Sequence, residues 1–167
     1  MQTERLIIDK VKESDKEDYF YNISHDKKVL QTFICKYAES LEEFDISDYI
    51  DHPKLFAIRL KDTGRFIGII DYFIDPESKE NSCEIGYGIG SSYWNNGYAT
   101  EAAKVFIDYC FNELGFDKVY ASFFAENVAS KHVMEKCGMT YSHTVENELT
   151  YQGIERDLTY YSISKKQ

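Results

Sequence analysis

The sequence carries little positive charge. It has 19 Lys and Arg residues against 29 Asp and Glu residues, a formal net charge of −10. Nucleic-acid binders gain affinity by neutralising phosphates with basic side chains, so this balance argues against a nucleic-acid partner. It suits a cationic substrate such as an amine, although we expect most of the charge to lie on solvated surface.

Paired cysteines, a long apolar run and a signal peptide are also missing. The cysteines form no Cys-x-x-Cys pair and match no common zinc spacing, so we expect no metal and free thiols in a reducing cytosol. They are Cys35, Cys83, Cys110 and Cys137. No apolar run approaches the ~20 residues that span a bilayer, and the N-terminus lacks basic and apolar signal regions. The sequence predicts a cytoplasmic protein with no membrane partner.

The length and composition fit one domain over residues 1–167, since 43% of the residues are hydrophobic and no repeat or linker interrupts the chain. Aromatic residues make up 16% of the sequence, with 14 Tyr and 11 Phe. Such side chains either fill a core or line a cleft.

The order of elements predicts a mixed α/β sheet. Ser14–Glu17 and Ser40–Glu43 have the spacing of capping boxes, which predicts helices over 14–25 and about 41–51. Asp62–Gly64 has the form of a hairpin turn. The run from 66 to 74 is almost continuously apolar, so helices should cover both faces of the sheet. The predicted strands are 5–11, 54–61, 65–74, 81–90, 119–124 and two within 139–164, and the later helices are 97–114 and 127–137.

The acidic stretch from 39 to 51 has two interpretations. It contains six acidic residues and no basic one. The first interpretation is an exposed helix face, and the second is a negative rim beside an amine site.

The strand at 81–90 leads through a short loop containing Gly97 directly into a helix. Such a loop leaves backbone N–H groups without partners at the positive end of the helix dipole, which favours a pyrophosphate. Gly97 lets a ligand approach the backbone closely, the small Ala99 acts in the same way, and Thr100 adds a hydroxyl donor.

Two longer motifs make this signal specific. Tyr93–Ala102 and Asn127–Met139 resemble the two signatures of the GNAT N-acetyltransferase superfamily, in the form of its ribosomal-protein N-terminal acetyltransferase branch. Glu84–Tyr87 and Thr3–Leu6 resemble that branch too. The resemblance spans essentially the whole chain.

It implies a mostly antiparallel sheet of about seven strands flanked by helices on both faces, acetyl-CoA as co-substrate, and no metal. It also implies acetyl transfer to a primary amine by direct attack on the thioester. The implied acceptor is a protein N-terminal α-amine. A small-molecule amine (aminoglycoside, polyamine or amino acid) and a non-catalytic CoA-binding module are the alternatives.

The resemblance also assigns site residues. The cofactor-binding positions are Ile89, Asn95, Asn96, Gly97, Tyr98, Ala99, Thr100, Asn127 and Ser130. In the family the pantetheine arm lies along a strand that splays from its neighbour, which would explain the alternating glycines Gly86, Gly88 and Gly90. Asn127 alternatively only caps its helix. Lys104 or Lys131 would lie near the 3′-phosphate.

For catalysis the resemblance points to Glu84 and Ser130. Glu84 is the candidate base for the amine, with a cross-strand or surface carboxylate as the alternative. A backbone N–H of the same strand would polarise the carbonyl. The family's usual Tyr acid is replaced by Met134, so Ser130 is the first candidate acid, ahead of Tyr87 and Tyr141.

The match departs from the family in the loop, where Trp94 and Asn96 replace common basic residues.

His132 lies among charged residues and is expected to be exposed, and His25, His52 and His143 show no catalytic or metal pattern. The acceptor site would involve aromatic residues that either line it or belong to the core. These are Tyr19, Phe20, Phe33, Tyr37 and Tyr151. The chain is expected to be a monomer or a homodimer.

Overall fold

A computed structural model describes residues 1–166. Its seven-stranded sheet has the order β1-β2-β3-β4-β5-β7-β6. The pairing is mostly antiparallel, with β4 and β5 parallel. The strands are β1 (Leu6–Asp9), β2 (Leu55–Leu60), β3 (Phe66–Phe73), β4 (Ser82–Ile89), β5 (Lys118–Phe124), β6 (Thr140–Tyr151) and β7 (Ile154–Ser164). The predicted mixed α/β sheet is confirmed.

Three α-helices accompany the sheet: α1 (Lys16–Tyr19), α2 (Tyr98–Asn112) and α3 (Val128–Lys136). Short 3-10 turns cover Glu13–Asp15, Val29–Gln31 and Ser91–Tyr93, and a π-helical turn covers Phe20–Ser24. The predicted hairpin at Asp62–Gly64 is confirmed, as are the later helices and strands to within a few residues. Within residues 1–166, no helix is both long and apolar enough to cross a membrane.

Two predictions for the first helices are wrong in detail. The helix expected over 14–25 is a succession of three short helical types, and its cap is the Asp15 carboxylate, which accepts from the Lys12 N–H at 2.8 Å. The region 41–51 is not a helix. Ser40 closes a single turn, and Phe44 and Ile46 then both enter the core, 5% and 2% exposed. Residues i and i+2 point to different faces of an α-helix, so burial of both on one core favours an extended segment over a helix.

The chain forms two compact units. Unit 1 combines Met1–Asp71 with Tyr87–Phe106, and unit 2 combines Tyr72–Gly86 with the residues from Ile107 onward. The single domain over 1–167 stays a prediction.

The core of unit 1 lies on both faces of its strands. Phe66–Ile70 are all buried, and because successive strand residues point to opposite faces, both faces are covered. On one face the fully buried Tyr19 ring lies 5.2 Å from the Phe66 ring. On the other, Phe56 meets Phe106 of α2 at 5.5 Å.

Unit 1 also contains a buried ion pair. The Arg59 guanidinium donates to both Asp15 carboxylate oxygens at 2.5 and 2.6 Å and to Asp9 at 2.7 Å. The Asp15 and Asp9 hydrogen bonds raise the pKa of Arg59 above its usual value, although burial opposes the shift. This pair ties the turn before α1 to β2.

Arg59→Met should lower the free energy of unfolding by about 3–5 kcal/mol, because it leaves the Asp15 carboxylate buried without its cation. Urea denaturation at pH 7 measures the loss. Arg65→Met is the matched control, since Arg65 pairs with Asp18 at the surface and should cost no more than about 1 kcal/mol. Equal losses in the two variants would contradict the interpretation.

Candidate active site

The loop between β4 and α2 belongs to unit 1, and side chains hold its carbonyl groups. The Trp94 indole Nε1–H donates to Ile89 O at 2.7 Å. The Asn96 amide donates to Tyr93 O at 3.1 Å and to Trp94 O at 3.0 Å. Trp94 and Asn96, which replace basic residues common in the family, therefore order the loop by hydrogen bonds. No positive charge at these two positions is needed to hold its conformation.

The backbone N–H groups from Asn95 to Ala99 follow these carbonyl groups. The Glu101 N–H bonds Gly97 O at 3.0 Å, which begins the hydrogen-bond ladder of α2. For the N–H groups of Asn95 through Ala99, no partner is found within residues 1–166. Asn95 and Gly97 have positive φ values of 64° and 79°. Successive N–H groups in such a turn form a concave anion site, so this loop fits the diphosphate of CoA.

The glycines at the end of β4 have a different role from the predicted one. A Cβ at Gly88 would lie 3.1 Å from the Phe33 ring, and a Cβ at Gly90 would lie 2.8 Å from the Asn22 side chain. The expectation that these two glycines clear a face for the cofactor is therefore wrong, because side chains of the protein pack there. At Gly68 a Cβ would collide with the Gly88 carbonyl, so β3 and β4 need glycine where they approach.

Asn127 and Ser130 lie at the start of α3 in unit 2. The Asn127 side chain accepts from the Ser130 N–H at 3.1 Å, so Asn127 caps the helix. Both residues are half-buried. Lys131 pairs with Glu135 at 3.8 Å, and Lys104 is exposed on α2. Contact of these residues with CoA stays a prediction.

Glu84 lies at the end of the parallel pairing in unit 2. The register pairs Ser82–Glu84 with Lys118–Tyr120, and β5 then continues to Phe124. Ser122, two residues beyond Tyr120 on the same face, donates its hydroxyl to the Glu84 carboxylate at 2.5 Å. Glu84 is half-buried, so it is not an exposed surface carboxylate, but the Ser122 hydrogen bond makes it a cross-strand carboxylate. That structural alternative therefore stands beside the catalytic one.

The surroundings of Glu84 raise its pKa above the usual range. Burial is the main cause, the Ser122 hydrogen bond lowers the pKa, Glu148 raises it and His143 lowers it. Burial also raises the pKa of Tyr160 to about 12, with Glu84 and Glu148 contributing. The His143 ring stacks on the Tyr160 ring with centroids 4.6 Å apart. This arrangement provides a carboxylate of increased basicity beside polar aromatic groups.

Sequence reasoning did not identify Ser122, His143 or Tyr160. The signal for Ser122 is the alternation of β5, where Lys118, Tyr120 and Ser122 share one face and buried residues occupy the other. His143 reaches this site only because β6 pairs with β7, opposite Tyr160.

Burial distinguishes the remaining candidate residues for the acid and for the acceptor site. Met134 is 1% exposed and belongs to the core, whereas Tyr141 is 60% exposed. Of the aromatic residues considered for the acceptor site, Tyr19 and Phe20 are core residues. Phe33, Tyr37 and Tyr151 are partly or fully exposed and stay candidates.

The seven-stranded fold and, within unit 1, a loop with the geometry of an anion site are what a CoA-dependent acyltransferase requires. The sequence profile of the acetyltransferase (GNAT) domain matches residues 5–140. The chain therefore belongs to the GNAT family, and it is an acetyl-CoA-dependent acyltransferase.

Individual relatives agree with this assignment. The chain is similar to an uncharacterized N-acetyltransferase, YoaA, of Bacillus subtilis, with 29% identity over 99% of this chain and 96% of that protein. A GNAT-family acetyltransferase structure from Bacillus anthracis superposes with a TM-score of 0.85 at 28% identity, covering 98% of this chain and 97% of the other.

More distant structures share the fold. Spermidine N-acetyltransferase of Vibrio cholerae, in complex with CoA and spermine, has a TM-score of 0.77 at 20% identity, covering 97% and 96% of the two chains. Ribosomal-protein-S5-alanine acetyltransferase of Vibrio fischeri has a TM-score of 0.75 at 18% identity, covering 98% and 95%.

Proposed function

We propose that this enzyme transfers the acetyl group of acetyl-CoA to a primary amine, with a protein N-terminal α-amine as the acceptor and Glu84 as the general base. The observation that carries the proposal is the half-buried Glu84 carboxylate, held by Ser122 and raised in pKa. A general base works best when its pKa approaches the operating pH.

The pKa of the acceptor favours an α-amine. An α-amine titrates near pH ~8, whereas a lysine-like amine titrates above pH ~10. A carboxylate base removes the proton from the first far more readily. The acidic Glu84 and Glu148 also suit a cationic polyamine, which makes spermidine-like acceptors the second candidate.

Acetyl-CoA supplies the thioester whose C–S bond breaks as the C–N bond forms. Glu84 takes the proton of the incoming ammonium, directly or through a water, so that the nitrogen lone pair can attack the carbonyl carbon. A backbone N–H of β4 would polarise that carbonyl. The nitrogen loses its second proton to solvent as the C–N bond forms. The departing thiolate takes a proton from solvent, or from Ser130, which solvent then reprotonates, since a thiol with a pKa near ~8.5 leaves readily.

The test begins with calorimetric titration of the enzyme with acetyl-CoA. Thiol release is then compared for a peptide with a free N-terminus, the same lysine-containing peptide with a formylated N-terminus, spermidine and an aminoglycoside. We expect turnover with the free N-terminus alone. Turnover with spermidine alone would support the second candidate. Turnover with no amine would support the non-catalytic alternative, and absence of acetyl-CoA binding would contradict the proposal entirely.

Ser122→Ala should move the acidic limb of the kcat/KM–pH profile to higher pH. Ser122 donates to the ionised form of Glu84, so its loss raises the pKa of Glu84 further. Because the base acts when deprotonated, activity is then lost at a higher pH as the pH falls. Ser122→Thr keeps a hydroxyl and should retain the wild-type profile. A limb that is unchanged or shifted to lower pH in Ser122→Ala would contradict the assignment.

A further inference from the structure

Arg5 joins the segment before β1 to the loop of the proposed CoA site, within unit 1. Its Nε–H donates to Glu101 at 2.7 Å, and its Nη2 lies 2.6 Å from the same carboxylate oxygen. Its Nη1–H donates to Asn96 O at 3.0 Å. The guanidinium also lies 4.7 Å from the centre of the Tyr98 ring. One side chain thus contacts the loop and the first turn of α2.

Glu101 is held by more than the Arg5 side chain. Its other carboxylate oxygen accepts from the Thr3 hydroxyl at 2.5 Å and from the Arg5 backbone N–H at 3.0 Å. Burial would raise the pKa of Glu101, but these hydrogen bonds from Thr3 and Arg5 outweigh it and hold the pKa below its usual value. Glu101 is therefore ionised at neutral pH.

The ionised Glu101 decides what Arg5 contributes. The pair carries no net charge, so Arg5 adds little to the attraction of an anion. Its remaining contribution is geometric, and it acts through the carbonyl of Asn96.

That carbonyl controls the next N–H group. A trans peptide is planar, so the N–H of Gly97 points opposite to the C=O of Asn96. Arg5 fixes the direction of the C=O and therefore that of the N–H. Gly97 has a φ of 79°, and its hypothetical Cβ has Arg5 Nη2 as its nearby atom, at 3.5 Å.

We propose that Arg5 and Glu101 are positioning residues of the diphosphate loop, which hold the Asn96–Gly97 peptide with its N–H turned away from Arg5 and available to the CoA diphosphate. The inference rests on the proposed CoA site and deepens it. It assigns a role to the opening Thr3–Leu6 motif that the catalytic assignment leaves unused.

The test uses Arg5→Lys, which keeps the charge but loses the planar fork that reaches Glu101 and Asn96 together. Calorimetry with CoA measures affinity, and kcat/KM is compared for acetyl-CoA and for S-acetylpantetheine, which lacks the diphosphate. We expect CoA affinity to fall about tenfold, the effect of one lost hydrogen bond of about 1–1.5 kcal/mol. The kcat/KM for S-acetylpantetheine should stay unchanged.

Glu101→Gln is the second variant and should show the same pattern. The double variant should lose no more than either single one, because both act through one peptide. Arg65→Met is the control, because Arg65 forms an exposed pair with Asp18. It should leave kcat/KM unchanged for both acetyl-CoA and S-acetylpantetheine. Thermal unfolding without ligand checks that each variant is folded.

A CoA affinity in Arg5→Lys equal to that of the wild type would overturn the inference. Equal losses of kcat/KM with acetyl-CoA and S-acetylpantetheine would also overturn it, because they indicate a general structural defect. Failure of the wild type itself to bind CoA would instead overturn the proposed function. The two failures are therefore distinguishable.

Discussion

Gly97→Glu is expected to weaken acetyl-CoA binding on the order of 100-fold or more, measured by calorimetric titration. Gly97 lies in the proposed diphosphate loop with a φ of 79° and is exposed. A glutamate there places a negative charge at the anion site and disturbs the direction of its N–H groups. Loss of one hydrogen bond to a charged group alone costs about 1.5–3 kcal/mol.

Gly64→Glu is the matched control for this experiment. Gly64 also lies in unit 1, has a φ of 71° and has open space where its Cβ would be. Both substitutions impose a similar left-handed strain of about 1–2 kcal/mol and add the same charge. Only Gly97→Glu should lose acetyl-CoA binding. Equal weakening in both variants would mean that strain or net charge, and not the loop, controls affinity.

Glu84→Gln is expected to lower kcat by about 100-fold or more while leaving the calorimetric affinity for acetyl-CoA unchanged. Removal of a general base typically costs 10²–10⁴-fold in rate. The glutamine still accepts the Ser122 hydrogen bond but cannot take a proton. Wild-type kcat in this variant would exclude Glu84 as the base.

The same variant should be more stable than the wild type at neutral pH. The pKa of Glu84 is raised in the folded state, so between its unfolded and folded pKa values the folded protein binds more protons than the unfolded protein. Stability therefore falls as pH rises through this window. Glutamine does not ionise, so Glu84→Gln should raise Tm at pH 7 and not at pH 4. A lower Tm at pH 7 would contradict the raised pKa.

Glu80→Gln is the control for both measurements. Glu80 lies in the same unit, is exposed, and accepts from the Tyr120 hydroxyl at 2.7 Å. Its pKa is lowered, chiefly by that hydrogen bond and then by Lys118. The substitution should leave kcat near the wild-type value and should not raise Tm at pH 7.

The prediction of the first helices failed because local signals were followed without tertiary contacts. Ser40–Glu43 has the spacing of a capping box, yet it begins only one turn. Burial of Phe44 and Ile46 against the core outweighs the weak helix preference of that segment. At Ser14–Glu17 the box was also misplaced, because Asp15 caps the turn and receives Arg59 from β2.

The sequence by itself determined the sheet, the hairpins, the long helix α2 and the loop around Gly97. These follow from short-range patterns: alternation, helical spacing, glycine at a turn and motifs of ten residues or so. The sequence alone placed Gly97, Trp94 and Asn96 in that loop, because the loop is one continuous segment.

Only the tertiary structure decided which distant side chains contact the candidate residues within each unit. Ser122 contacts Glu84 from the neighbouring strand, and the β6–β7 pairing brings His143 to Tyr160. Arg5 contacts Glu101 although the two residues are far apart in the sequence. It also showed that Phe33 and Asn22 occupy the space at Gly88 and Gly90. Each of these contacts joins residues far apart in the chain. Their pairing depends on strand register and packing, which no short segment encodes.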